Sequence, residues 1–98
     1  MTSAAVGKPA AGPVTVEIRN KRGLHARASA RFVTCASGFD AVVTVAKDGA
    51  SVIGTSIMGL MMLAAAPGDT IELSADGVQA DAALDALIAL VANKFGED

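Results

Sequence analysis

Val14-Thr15-Val16-Glu17-Ile18-Arg19-Asn20-Lys21-Arg22-Gly23-Leu24-His25-Ala26-Arg27-Ala28-Ser29-Ala30-Arg31-Phe32-Val33-Thr34-Cys35-Ala36-Ser37-Gly38 changes its hydrophobic period once, and that change sets the fold. From Val14 to Arg19 the pattern alternates strictly, placing Val14, Val16 and Ile18 on one face of a strand and polar side chains on the other. Asn20 to Gly23 reads as a turn in which Gly23 can take the positive φ that most residues avoid. From Ala26 to Ser37 the period becomes helical: Ser29, Phe32, Val33 and Ala36 recur at i, i+3, i+4 and i+7, and Gly38 follows as a stop. Arg27 and Arg31 fall away from that stripe.

Downstream, Ala41 to Ala46 is β-branched and apolar, Lys47-Asp48-Gly49 carries a hairpin signal, and Ser51-Val52-Ile53 makes a short return strand. Ser56 caps a short apolar helix to Leu63, and Ala64 to Gly68 ends it. Thr70 to Ser74 alternates again, with Asp76-Gly77 closing it. Gln79 to Lys94 shows Ala83, Leu84, Leu87, Leu90 and Val91 at helical spacing. The order β-α-β-β-α-β-α is too short for a doubly wound parallel sheet. It predicts an α+β open-faced sandwich, a four-stranded antiparallel sheet with three helices on one face.

Ninety-eight residues support one hydrophobic core, expected over 14–95, with the Ala-, Gly- and Pro-rich residues 1–13 as a flexible tail. Hydrophobic residues make up 52% of the chain but aromatics only 3%, so that core is aliphatic and leaves no large deep pocket. A net charge of −2 argues against general nucleic-acid or anionic-membrane binding. No stretch approaches a membrane span, and residues 1–13 lack the apolar run of a signal peptide. With a single cysteine and a single histidine, neither an internal disulfide nor a four-ligand zinc site can form, and a reducing cytoplasm fits best. No metal or cofactor is expected, and a monomer is the default.

Chemistry then centres on His25. It stands where a strand passes into a helix, facing the unpartnered first-turn N–H groups and the positive end of the helix dipole. A neutral imidazole there can attack phosphorus, and the dianion it acquires would be held by the amides near Ala26 and Arg27 and by the Arg27 guanidinium. Alone, a His-x-Arg pair is more often a mere helix cap. Cys35 lies ten residues on, about 15 Å along the helix, too far for a Cys-His dyad; it reads as a buried small hydrophobe. Arg19, Lys21, Arg22, Arg27 and Arg31 form a basic set without aromatics for base stacking, suited to steering acidic partners and phosphate. Of the apolar residues Ile57, Met58, Leu60, Met61, Met62 and Leu63, a short helix cannot bury all, so some form an exposed, adaptable docking surface.

The segment Gly23-Leu24-His25-Ala26-Arg27-Ala28-Ser29-Ala30-Arg31-Phe32 resembles the active-site segment of HPr, the histidine-containing phosphocarrier of the phosphoenolpyruvate-dependent phosphotransferase system. Gly38-Phe39 at the helix end and Ser56-Ile57-Met58-Gly59-Leu60-Met61 extend the likeness, and element order matches from Val14 to about Lys94. The resemblance implies a carrier that is not itself an enzyme: Nδ1 of His25 takes a phosphoryl group from enzyme I and gives it to an enzyme IIA, with Arg27 as the active-site arginine. It further implies that Ser56 is a target of HPr kinase/phosphorylase, and that Ile57, Met58 and Met61 belong to the docking surface. Two departures stand out. Ala28 replaces the proline common after the arginine, pointing to a divergent, nitrogen-related or regulatory branch, and Thr55 stands where a lysine often precedes the serine. The rival classes are a small regulatory ligand-binding α+β domain, which would not depend on His25, and a hydrolase or transferase, which would need more convergent polar groups than this chain offers.

Overall fold

A computed structural model describes residues 10–97. The strand alternation becomes β1 (Ala10–Glu17), followed by α1 (Ala26–Ser37), the hairpin β2 (Val42–Lys47) and β3 (Ala50–Ile53), α2 (Ile57–Met62), β4 (Thr70–Asp76), α3 (Ala80–Ala92) and a 3₁₀ turn at Lys94–Gly96. The strands form one antiparallel sheet in the order β1-β4-β2-β3. The expected architecture is therefore present, with the helical layer burying one sheet face.

Period 2 accounts for the sheet. Val43 and Val45 of β2 and Ile71, Leu73 and Ala75 of β4 are buried, while Thr70, Glu72 and Asp76 between them are exposed. From α1 come Ala28, Phe32 and Ala36, from α2 Leu60, and from α3 Ala83, Leu84, Leu87 and Val91. Burying one such large side chain is worth about 1.5–3 kcal/mol. Two phenylalanines, Phe32 and Phe95, are the largest fully buried side chains, so an otherwise aliphatic core is filled by aromatics at its centre and at its C-terminal end.

Most boundaries move by one or two residues from expectation, and two of the differences change what the ends of the chain do. β1 starts at Ala10 instead of Val14, because Ala10 and Ala11 pair with Asp76 and Ala75 at the far end of β4. The register shifts between Ala11 and Val14, where Gly12 and Pro13 interrupt the ladder. Proline donates no N–H and glycine here sits at φ +87°, so the alternation is lost at the two positions that made the stretch read as a tail. The rest of that tail, residues 1–9, lies outside the described residues. At the other end α3 stops at Ala92, not Lys94. Lys94 and Phe95 both adopt positive φ, 56° and 57°, and turn the chain back so that Phe95 enters the core.

Candidate functional site

The turn before α1 is held from below by backbone. Ile18 N–H donates to Asp69 O at 2.8 Å, Leu24 N–H donates to Ala65 O at 2.9 Å, and His25 N–H donates to Gly23 O at 2.9 Å. Gly23 sits at φ +66°, and a Cβ there would lie 2.2 Å from the Ala65 carbonyl oxygen, so both its conformation and its contact require glycine. Leu24 is buried, and Ser29 fixes it further by donating its hydroxyl to Leu24 O at 3.2 Å.

These restraints deliver His25 to the N-cap of α1 in an extended conformation. Ser29 N–H to His25 O, 2.9 Å, is the first rung of the helical ladder, and the amides before it lie outside that ladder. Arg27 N–H donates to His25 Nδ1 at 3.3 Å. An amide can only donate, so Nδ1 carries a lone pair and, in the neutral ring, Nε2 holds the proton. Nε2 faces the Glu97 carboxylate at 2.9 Å. The imidazole is 23% exposed, open enough for a partner to reach.

Around it lies a shallow depression of about 380 Å³ lined by Lys21, Arg22, His25, Arg27, Arg31, Gly96 and Glu97. Four cations and one carboxylate make it an anion-attracting surface. Desolvation pushes the Glu97 carboxyl up, but hydrogen bonds from Asn20 and His25 and the charge of Arg31 help to outweigh it. The net direction is down from the ordinary 4.5, so the carboxylate is ionised at neutral pH. A second depression, of about 350 Å³ at the β2–β3 hairpin, is lined by Lys47, Asp48, Ser51 and Glu72 among others and contains no imidazole or thiol.

The structure brings His25, Ala26 and Arg27 together, with Ala26 and Arg27 exposed at the first turn. Ala28, at the position where proline is common, is fully buried inside α1. Ser56 stands apart on α2, where its Oγ accepts the Gly59 N–H at 3.0 Å as the N-cap. Ile57, Met58 and Met61 are exposed by 42, 70 and 39%, and Met62, at 79%, is the most open of the group although it was not among the three singled out. Because Ala65, just past α2, is bonded to Leu24, this apolar surface ends beside the His25 loop. Cys35 departs from expectation: it packs at the edge of the core but is only half-buried. Burial pushes its thiol up, which keeps it protonated and a poor nucleophile. Sequence reasoning missed Glu97, which lies beyond Lys94, where the helical pattern ends. Among the described residues no helix is long and apolar enough to cross a membrane.

Residues 14–93 match the family model described as the PTS HPr component phosphorylation site. The phosphocarrier protein HPr of Neisseria meningitidis serogroup A is 53% identical over 83 residues, covering 85% of this chain and 93% of that one. The phosphocarrier protein NPr of Shewanella violacea is 48% identical over 82 residues, covering 84% and 90%. A crystal structure of HPr from Thermoanaerobacter tengcongensis superposes with a TM-score of 0.85 at 45% identity, covering 90% of this chain and 99% of that one. With a lone-pair-bearing imidazole at a basic helix mouth and this match over most of its length, the chain belongs to the HPr family of phosphotransferase-system phosphocarriers.

Proposed function

We propose that His25 Nδ1 accepts the phosphoryl group from enzyme I and passes it to an enzyme IIA, in the cytoplasm and as a monomer. The observation that carries this is the hydrogen bond from Arg27 N–H to Nδ1, which marks that nitrogen as the one with an available lone pair at the positive end of α1. As the N–P bond forms, the first-turn amides of Ala26 and Arg27 and the Arg27 guanidinium turn to the phosphoryl oxygens. Charge at an exposed helix N-terminus is worth only about 0.3–1 kcal/mol. That modest hold suits a carrier, which must release what it receives. All of these groups belong to one chain, which is why a monomer suffices.

Docking falls to Ile57, Met58 and Met61, joined by Met62, a flexible thioether-rich surface that can fit both donor and acceptor proteins. Incubation with enzyme I and labelled phosphoenolpyruvate is expected to place an acid-labile label on the His25 peptide, and to do so more slowly for Met58→Glu. Absence of that label would refute the carrier reading, and an unchanged Met58→Glu rate would remove the docking surface. Ser56 is the regulatory acceptor: a phosphate at the start of α2 is locally tolerated while its charge repels a docking partner. HPr kinase/phosphorylase with ATP is expected to add one phosphate to the wild type and none to Ser56→Ala; equal addition to both would exclude Ser56.

A further inference from the structure

The segment Lys94–Glu97 is fixed against the site by several independent contacts. Lys94 and Phe95 are consecutive non-glycine residues in the left-handed region, a conformation that persists only where surroundings over-determine it. Phe95 is 1% exposed, and its carbonyl accepts a hydrogen bond from Arg31 Nη1. Gly96 N–H donates to Asn93 O at 3.0 Å and Glu97 N–H to Lys94 O at 2.9 Å. Asn20, fully buried, divides its side-chain amide between Gly23 O at 2.8 Å and Glu97 Oε1 at 3.1 Å. One Glu97 oxygen is thus pinned to the turn that shapes the site, while the other meets His25 Nε2 at 2.9 Å, and only 14% of the Glu97 side chain is exposed.

We infer that Glu97 is a positioning residue for phosphoryl transfer: its carboxylate accepts the Nε2–H of His25, fixing the tautomer whose Nδ1 lone pair attacks and balancing the positive charge that the ring acquires. This rests on His25 being the acceptor. In the step itself the Nδ1 lone pair forms the new N–P bond, the bond between phosphorus and its donor breaks, and that electron pair leaves with the donor. The Nε2 proton stays on the ring, which becomes a phosphorylated imidazolium, and the adjacent carboxylate compensates that charge as the acid of a hydrolase triad does for its histidine. An acid in an otherwise basic depression would repel the incoming phosphoryl group if it faced Nδ1. Directed at Nε2, it acts on the ring instead.

Glu97→Ala and the near-isosteric Glu97→Gln separate this role from mere anchoring. In the wild type the Nε2–H proton is expected to be protected from exchange and strongly deshielded in the NMR spectrum of unphosphorylated protein. It should vanish in Glu97→Ala and persist, less deshielded, in Glu97→Gln, whose side-chain oxygen still accepts. Labelling by enzyme I should slow about ten-fold in Glu97→Ala, the size of effect seen when a carboxylate behind a metal-bound imidazole is removed, and less in Glu97→Gln. A wild-type spectrum without the protected proton, or a Glu97→Ala chain labelled at the wild-type rate, overturns the inference. Neither outcome touches the carrier reading, which instead fails if the wild type takes no label on His25.

Discussion

A His25→Ala chain is expected to take up no acid-labile phosphoryl group from enzyme I, with labelling at the level of a reaction lacking the carrier, while the protein remains folded. The neighbouring hydroxyl, guanidinium and thiol groups cannot substitute. Ser29 Oγ is buried and committed to Leu24 O. Arginines do not deprotonate at physiological pH and so offer no nucleophile. Cys35 lies at the other end of α1, and burial keeps its thiol protonated. The structural cost is small by comparison. His25 acts as the N-cap of α1 through the Arg27 amide, and losing such a cap costs about 0.5–2 kcal/mol. A circular dichroism spectrum should therefore match the wild type, with a lowered unfolding midpoint. Acid-labile label on this variant would show that the imidazole is not the acceptor.

Gly23→Ala is expected to produce the largest loss of stability of any single-methyl addition near the site. The left-handed conformation at φ +66° costs a residue with a Cβ about 1–2 kcal/mol. Forcing extra volume into a packed site adds about 1–3 kcal/mol. The new carbon would sit 2.2 Å from Ala65 O, a backbone atom that also accepts the Leu24 N–H, so it cannot move without breaking that bond. A total of about 2–5 kcal/mol follows from those two costs. Urea denaturation should show it as a fall in midpoint at constant slope. Labelling by enzyme I should fall as well in chains that remain folded, because the same displacement lifts Leu24 and with it His25. A midpoint within experimental error of the wild type would contradict this account of the turn.

That glycine shows how far the sequence could be read. Its positive φ was legible, because a turn between an alternating run and a helical run needs one residue free of a Cβ. The reason it tolerates nothing larger was not legible, since the Ala65 carbonyl that crowds it comes from more than forty residues downstream. His25 and Arg27 were readable for the same local reason: strand end, turn and helix start are neighbours in the chain, so their juxtaposition is written in their order. Glu97 depends on a reversal at Lys94 and Phe95 that breaks the usual backbone preference of both residues, and no propensity foretells it. The early start of β1 was hidden in a similar way. Gly12 and Pro13 look like linker, and only the pairing of Ala10 and Ala11 with the far end of β4 makes them part of the sheet. On α2 the excess of apolar residues foretold exposure, but which methionines point outward was settled by how the helix rolls onto Leu60.

Among the described residues, the strand that leads into the His25 turn has β4 as its sole neighbour in the sheet, pairing Val14 with Leu73 and Glu17 with Thr70. On the ribosome, at roughly 5–20 residues per second, β1 and the His25 turn emerge several seconds before the distant backbone that will grip them. Ile18 waits for Asp69 and Leu24 for Ala65. A nascent chain arrested before β4 is therefore expected to carry the sequence around His25 without its geometry, and the proposed transfer to become possible late, when the second half of the polypeptide closes over the first.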